Sequence, residues 1–220
     1  ATDQTIARIG VVDTTTADIY FDDIAINNAD WAGSGKIIHL KPNATGDNNE
    51  LDTALTTDWE KVDEVTPDDT TTKINTTSDS VGEIDDFNIE ASSISASSTI
   101  TLIQIGIRVG GENGDGLNDN LKLRVKASAS GTVERSSGVV YSDSSGYRTN
   151  PNSGEYALTL YNLPGASTTA WTSTDLDNAQ IGIEKVTDSV GGSLISTLWM
   201  LVDYIPGGES SSVSPSLSPS

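Results

Sequence analysis

Between residues 101 and 109, apolar and polar side chains alternate. Ile103, Ile105, Ile107 and Val109 fall on one parity, Gln104 and Arg108 on the other. Residues 121–127 repeat the pattern, with Leu121, Leu123, Val125 and Ala127 set against Lys122, Arg124 and Lys126. A period of two is the mark of a strand with one face in a core and one in water. Helical periodicity is nearly absent. Only 53–62, with Leu55, Trp59 and Val62 on one side, has room for a turn or two. The chain is therefore expected to be all-β with antiparallel sheets.

Other runs extend this reading. Residues 36–42 form an expected strand that stops at Pro42, 43–52 a polar loop, and 58–65 an extended piece. Residues 84–94 form a strand with Phe87 and Ile89 turned inward. Segments 101–109 and 121–127 read as a hairpin across the acidic loop 110–120. Later strands are expected at 138–142, 156–163, 180–186 and 196–205, the last after a Gly191-Gly192 turn. About eight strands at this spacing suggest two packed sheets, an antiparallel β-sandwich with jelly-roll-like topology. Ahead of this body, 6–12 and 19–26 form a hairpin arm, followed by a polar linker at 27–35. Behind it, Val213-Ser214-Pro215-Ser216 is nearly repeated as Leu217-Ser218-Pro219-Ser220. Proline every fourth residue blocks helix and ladder alike, so a disordered or extended tail is expected, one that can carry O-linked sugar. The expected units are an arm and linker at 1–35, a β-sandwich body at 36–206 and a Ser/Pro tail at 207–220.

Composition narrows what such a chain does. Apolar residues make up 35%, low for a globular protein, and Ser, Thr, Asp, Asn and Gly fill the gap, as suits short strands with polar turns. The net charge of −20 repels nucleic acid and anionic membranes, which excludes both as partners. With no cysteine, disulfides, thiolate catalysis and Cys-ligated zinc are excluded. No run approaches the roughly 20 apolar residues that span a bilayer. The sequence opens at Ala1 rather than Met, so it is expected to be processed or part of a longer polypeptide.

Few residues carry chemistry. His39 is the one histidine, set between Ile38 and Leu40 in a strand, so no Ser-His-Asp triad is expected and His39 reads as structural. Carboxylates adjoin at Asp22/Asp23, Asp63/Glu64, Asp68/Asp69 and Asp85/Asp86. Strand neighbours point to opposite faces, whereas a glycosidase needs two carboxyls about 5–10 Å apart across one cleft. No enzyme is expected on these grounds, and a glycan hydrolase fragment is the weakest reading. Calcium is the one cofactor suggested. The loop 111–120 offers Glu112, Asn113, Asp115, Asn118 and Asp119 as hard oxygen donors among glycines, without the full EF-hand spacing. Trp59, Trp171 and Trp199 are expected in the core or at its rim. Trp31, in a polar linker, suits an interface.

Two segments resemble known families. Ile19-Tyr20-Phe21-Asp22-Asp23-Ile24-Ala25-Ile26-Asn27 resembles the closing strand of concanavalin-like (LamG-type) jelly rolls. Lys36-Ile37-Ile38-His39-Leu40-Lys41-Pro42-Asn43, Val62-Asp63-Glu64-Val65, Ala170-Trp171-Thr172, Ile181-Gly182-Ile183 and Val202-Asp203-Tyr204 together resemble a module of phage and environmental virion-associated proteins that follows a LamG-like domain. The likeness spans roughly 19–220, and its motifs are structural. It implies a structural subunit of a virion surface (capsid decoration, tail or fibre) or of an extracellular filament. The implied partners are copies of itself or other virion or fibre proteins. Glycans are the partner of the alternative reading, a carbohydrate-binding adhesion module. An isolated hairpin is marginal in water, so the arm is expected to complete a sheet edge by strand addition, with Ile19, Phe21, Ile24, Ile26 and Trp31 at the interface.

Overall fold

The two longest alternating runs become the two longest strands, and they lie side by side. The computed structural model describes residues 35–52, 57–67, 69, 71–112, 118–141, 146–149 and 158–207. The chain divides into two units, 1–33 and 34–220, and the first lies outside the described residues. The expected arm and the Ser/Pro tail beyond residue 207 lie outside them too. The strands are β1 (Lys36–Leu40), β2 (Pro42–Asn49), β3 (Ile74–Asn75), β4 (Ile84–Ile89), β5 (Thr99–Gly111) and β6 (Asn120–Lys126). They continue with β7 (Glu134–Arg135), β8 (Val140–Tyr141), β9 (Arg148–Thr149), β10 (Leu158–Leu160), β11 (Gln180–Lys185) and β12 (Ser193–Ile205).

These strands form two antiparallel sheets. One runs β1-β12-β5-β10, with β3 on β12 and β9 on β5. The other runs β2-β4-β11-β6-β7, with β8 on β6. Along the chain the path crosses repeatedly between sheets: β1 in the first, β4 in the second, β5 back in the first, β6 and β7 in the second, β10, β11 and β12 alternating after that. That alternation is jelly-roll topology, and the all-β sandwich expected from the sequence is the fold.

The core lies between the sheets. Ile103, Ile105 and Ile107 of β5 sit opposite Val202, Met200 and Leu198 of β12. From the other sheet come Phe87, Leu123, Val125, Ile181 and Ile183, all buried. Each such side chain contributes about 1.5–3 kcal/mol by leaving water. Trp171 is buried and its Nε1–H donates to the Asn162 carbonyl at 2.8 Å. Trp59 packs against the core edge, while Trp199 lies on the outer face of the first sheet.

Three expectations are corrected. First, β5 and β6 are not a hairpin: they belong to opposite sheets and face each other across the core. Alternation identifies which face is apolar, and that pattern is the same for a paired neighbour and for a strand in the facing layer. Second, the polar stretch after Pro42 is not a loop but strand β2 on the edge of the second sheet. Its partners step from Phe87 opposite Thr45 to Asp85 opposite Asn49, so Gly46, Asp47 and Asn48 bulge out across from Asp86 alone. A polar strand forms here because its contacts are ionic, not apolar. Third, the piece expected to be extended at 58–65 begins as a 3₁₀ turn, Asp58–Lys61, followed by fully buried Val62. A short helix, Ser173–Asp177, was not foreseen. Thr172 caps it by accepting from the Asp175 N–H at 3.2 Å, while the Asp175 carboxylate accepts from the Thr172 N–H at 2.9 Å.

Candidate functional site

The suspected calcium loop follows β5. Asn113 and Asp115 lie outside the described residues. Asp119 is buried, and its Oδ2 accepts from Thr76 Oγ1 at 2.6 Å and pairs with Lys185 Nζ at 2.9 Å, while its Oδ1 accepts from the Ser189 N–H at 2.9 Å. Asn118 is also buried and forms a backbone bridge to Gly191. Glu112 points elsewhere. It accepts from the Thr77 hydroxyl and from the Gly192 N–H at 3.2 Å, bonds that hold its carboxyl below the usual range. The described carboxylates of this loop are thus engaged by protein donors. Among the described residues no three His, Asp or Glu side chains form a ready-made metal shell. The interface candidates Ile19, Phe21, Ile24, Ile26 and Trp31 lie outside the described residues.

Lys185 closes this end of the sandwich. Its side chain is completely buried, and Nζ meets the Thr76 carbonyl (3.0 Å), the Asp79 carbonyl (2.6 Å), Asp119 and Asp188 Oδ1 (3.0 Å). Burial alone would lower its pKa, but the bonds to Asp119 and Asp188 outweigh that and raise it, so Lys185 stays charged. One ammonium ties together β11, the turn after β3, the start of β6 and the loop before β12.

The outer face of the second sheet holds a second ionic cluster where the sequence suggested water. Arg124 and Lys126 are buried. Asp86 Oδ1 pairs with Arg124 Nε and its Oδ2 with Lys126 Nζ, both at 2.9 Å. The β2 bulge supplies the cover: Asp47 pairs with Lys126 at 2.8 Å and accepts from Gln180 Nε2 at 3.1 Å, and Asn48 donates to Asp86. Glu184 completes the group, against Arg135 at 2.6 Å and Arg124 at 3.4 Å. Three cations face three carboxylates, so the cluster is neutral and holds β2, β4, β6 and β11 in register.

Two surfaces among the described residues could receive a partner. One is a groove of about 420 Å³ between β7 and β10, bordered by Glu134, Arg135, Thr159, Tyr161 and Asn162, with Tyr161 66% exposed. The other is the outer face of the first sheet at its β1 edge. His39 stacks on Trp199 there, ring centroids 6.3 Å apart and planes 23° apart. Burial lowers the His39 pKa, Lys41 adds to this and Glu90 opposes it. Leu201 lies opposite His39, and Ile37 on the same face is 71% exposed. Among the described residues no strand pairs with β1 on the side away from β12. The Trp199 seat exists because Gly106 lies opposite it: a Cβ on Gly106 would stand 2.4 Å from the indole. Gly106→Ala is therefore expected to push the indole off the sheet, destabilise the fold by about 1–3 kcal/mol and red-shift tryptophan emission. Unchanged melting and emission would contradict this placement.

An acidic group lies at the edge of the core, and only part of it was legible. As alternation requires, Asp85 points inward and Asp86 outward. Asp85, Asp58 and Asp79 are buried, with Asp52 beside them. Nothing in the local sequence marked Asp58 as an interior residue.

Comparison with protein-family models, with curated proteins and with solved structures finds no match for this chain.

Proposed function

We propose that this chain is a structural subunit of a virion surface or of an extracellular filament, assembling through strand pairing and apolar contacts between β-rich subunits. The observation that carries this reading is the β1 edge. It is unpaired on its outer side among the described residues, it bears exposed Ile37, and it continues directly from residues 1–35, whose runs 6–12 and 19–26 have strand patterning. A free edge next to an apolar strip is a template for strand addition. The net charge of −20 keeps crowded copies soluble and places the specific contact on the few apolar patches. The ionic clusters at Lys185 and Asp86 stiffen the sandwich, which suits a part that bears load rather than one that turns over substrate.

Deleting residues 1–30 tests this. The truncated chain is expected to fold and melt cooperatively while losing self-association. Association that survives the deletion would remove the arm from the account. One observation favours a second reading, a carbohydrate-binding adhesion module: the groove at β7 and β10 sets exposed Tyr161 beside Arg135, Glu134 and Asn162, a ring with planar polar groups. Retention on a glycan array that Tyr161→Ala abolishes would favour it.

A further inference from the structure

Among the described residues three buried carboxylate oxygens have no donor. Asp58 is 0% exposed and neither oxygen has a hydrogen-bond partner. Asp85 is also 0% exposed: Oδ1 accepts from the Glu50 and Leu51 N–H groups at 2.8 and 3.0 Å, but Oδ2 accepts nothing. Next to them, both oxygens of Asp79 accept from the single Asp52 N–H at 3.0 Å, and Asp52 Oδ2 accepts from the Asn75 N–H at 3.1 Å. No nearby cation bonds to these oxygens. Lys185 spends its ammonium on Asp119, Asp188 and two carbonyls, bonds Asp79 at its carbonyl oxygen and acts on the Asp79 carboxylate only through space. Lys61, on the Asp58 turn, acts on Asp58 only through space.

Buried charged oxygens without partners are costly and rare, and an ion is one of the few things that accounts for them. We propose that Asp58 and Asp85, with Asp79 and Asp52 at their flank, form a calcium site that joins the 3₁₀ turn to β4. The donor set is all hard oxygen, as calcium requires. Among the described residues no three carboxylates stand together as a metal-binding group, so Asp58 and Asp85 are the two direct carboxylate ligands proposed. Calcium takes six to eight oxygens in a flexible geometry, so main-chain carbonyls and water complete the shell. Magnesium, which demands a tight octahedron, fits less well.

The test uses the full chain, stripped with a chelator and melted at pH 8. Adding about 1 mM calcium, the range in which extracellular calcium modules load, is expected to raise Tm by about 1–6 °C, with a smaller rise from magnesium. Asp58→Asn is expected to erase the calcium response while melting higher than the parent in chelator. Asp115→Asn, in the loop after β5, is expected to leave the response intact. Terbium supplies an independent readout. Excitation of tryptophan should give sensitised emission that calcium competes away and that Trp59→Phe weakens, since Trp59 adjoins Asp58 in the chain. No calcium shift in the parent, a shift unchanged in Asp58→Asn, or one that disappears with Asp115→Asn would each overturn the proposal.

Discussion

Replacing Lys185 with alanine is expected to lower the free energy of unfolding by about 3–5 kcal/mol, read in a urea titration as an earlier midpoint at unchanged slope. The reason is what stays behind. The buried Asp119 carboxyl loses its ammonium partner, and the carbonyls of Thr76 and Asp79 lose their shared donor. A buried pair adds little over an apolar one of the same shape, but half of a pair is expensive. Adding Asp119→Asn should therefore recover part of the loss, because the amide still accepts from Ser189 without carrying charge. If the double variant is no better than the single, the damage is lost packing around the lysine stem, and the electrostatic account of this end of the sandwich is wrong.

The second large effect is a pH dependence of unusual sign. Paired carboxylates normally make a protein less stable in acid. Asp58 and Asp85 do the opposite, because burial above all, helped by neighbouring carboxylates and opposed at Asp85 by the Leu51 and Glu50 N–H groups, pushes their folded-state pKa up to about 7. Below about pH 4, near the ordinary carboxyl value, both are protonated in folded and unfolded chains, and their contribution is fully retained. Between about pH 4 and 7 the unfolded chain has released protons that the folded chain holds, so stability falls as pH rises. Above about 7 the full penalty is present. The shift sets a ceiling of about 4 kcal/mol for one group, and coupling between the two brings the expected figure to about 2–4 kcal/mol. With chelator present, Asp58→Asn should thus match the parent near pH 4 and exceed it by that amount at pH 8. A difference that does not change with pH would show that Asp58 is solvated or paired in the folded protein.

These two effects arise where the sequence was least informative. Period-two alternation placed Ile103 to Val109 and Leu121 to Val125 in the core correctly, and separated Asp85 from Asp86 by parity alone. It did not say that β5 and β6 occupy different sheets, because one apolar face serves equally for pairing beside a strand or packing over it. It assigned Lys122, Arg124 and Lys126 to water, and for Arg124 and Lys126 that failed for a physical reason. Their cover is β2, a strand of Pro, Asn, Ala, Thr, Gly and Asp with no apolar face to announce it, and it is bound through Asp47 and Asn48. Lys185 looked like the polar end of the run Ile181 to Lys185, yet three oxygens from distant segments and one from Asp188, three residues on, surround it. Long-range partners of that kind, such as Asp58 with Asp85 or Lys185 with Asp119, leave no local periodicity. Of the loop 111–120, the sequence marked the acidic character but not that Asp119 turns inward to a lysine.

The structural reading joins these parts. A jelly roll fastened by buried ion pairs at one end and on one outer face presents a β1 edge that no strand pairs with among the described residues, with Ile37, His39, Trp199 and Leu201 along it. That edge follows directly from the strand-patterned residues 1–35. The measurement that tests this most directly is the mass of the intact chain by light scattering across a wide range of concentrations. The account predicts a species that is a multiple of the 23.0 kDa chain, in the form of closed rings, trimers or filaments. A monomer near 23.0 kDa at every concentration would contradict it.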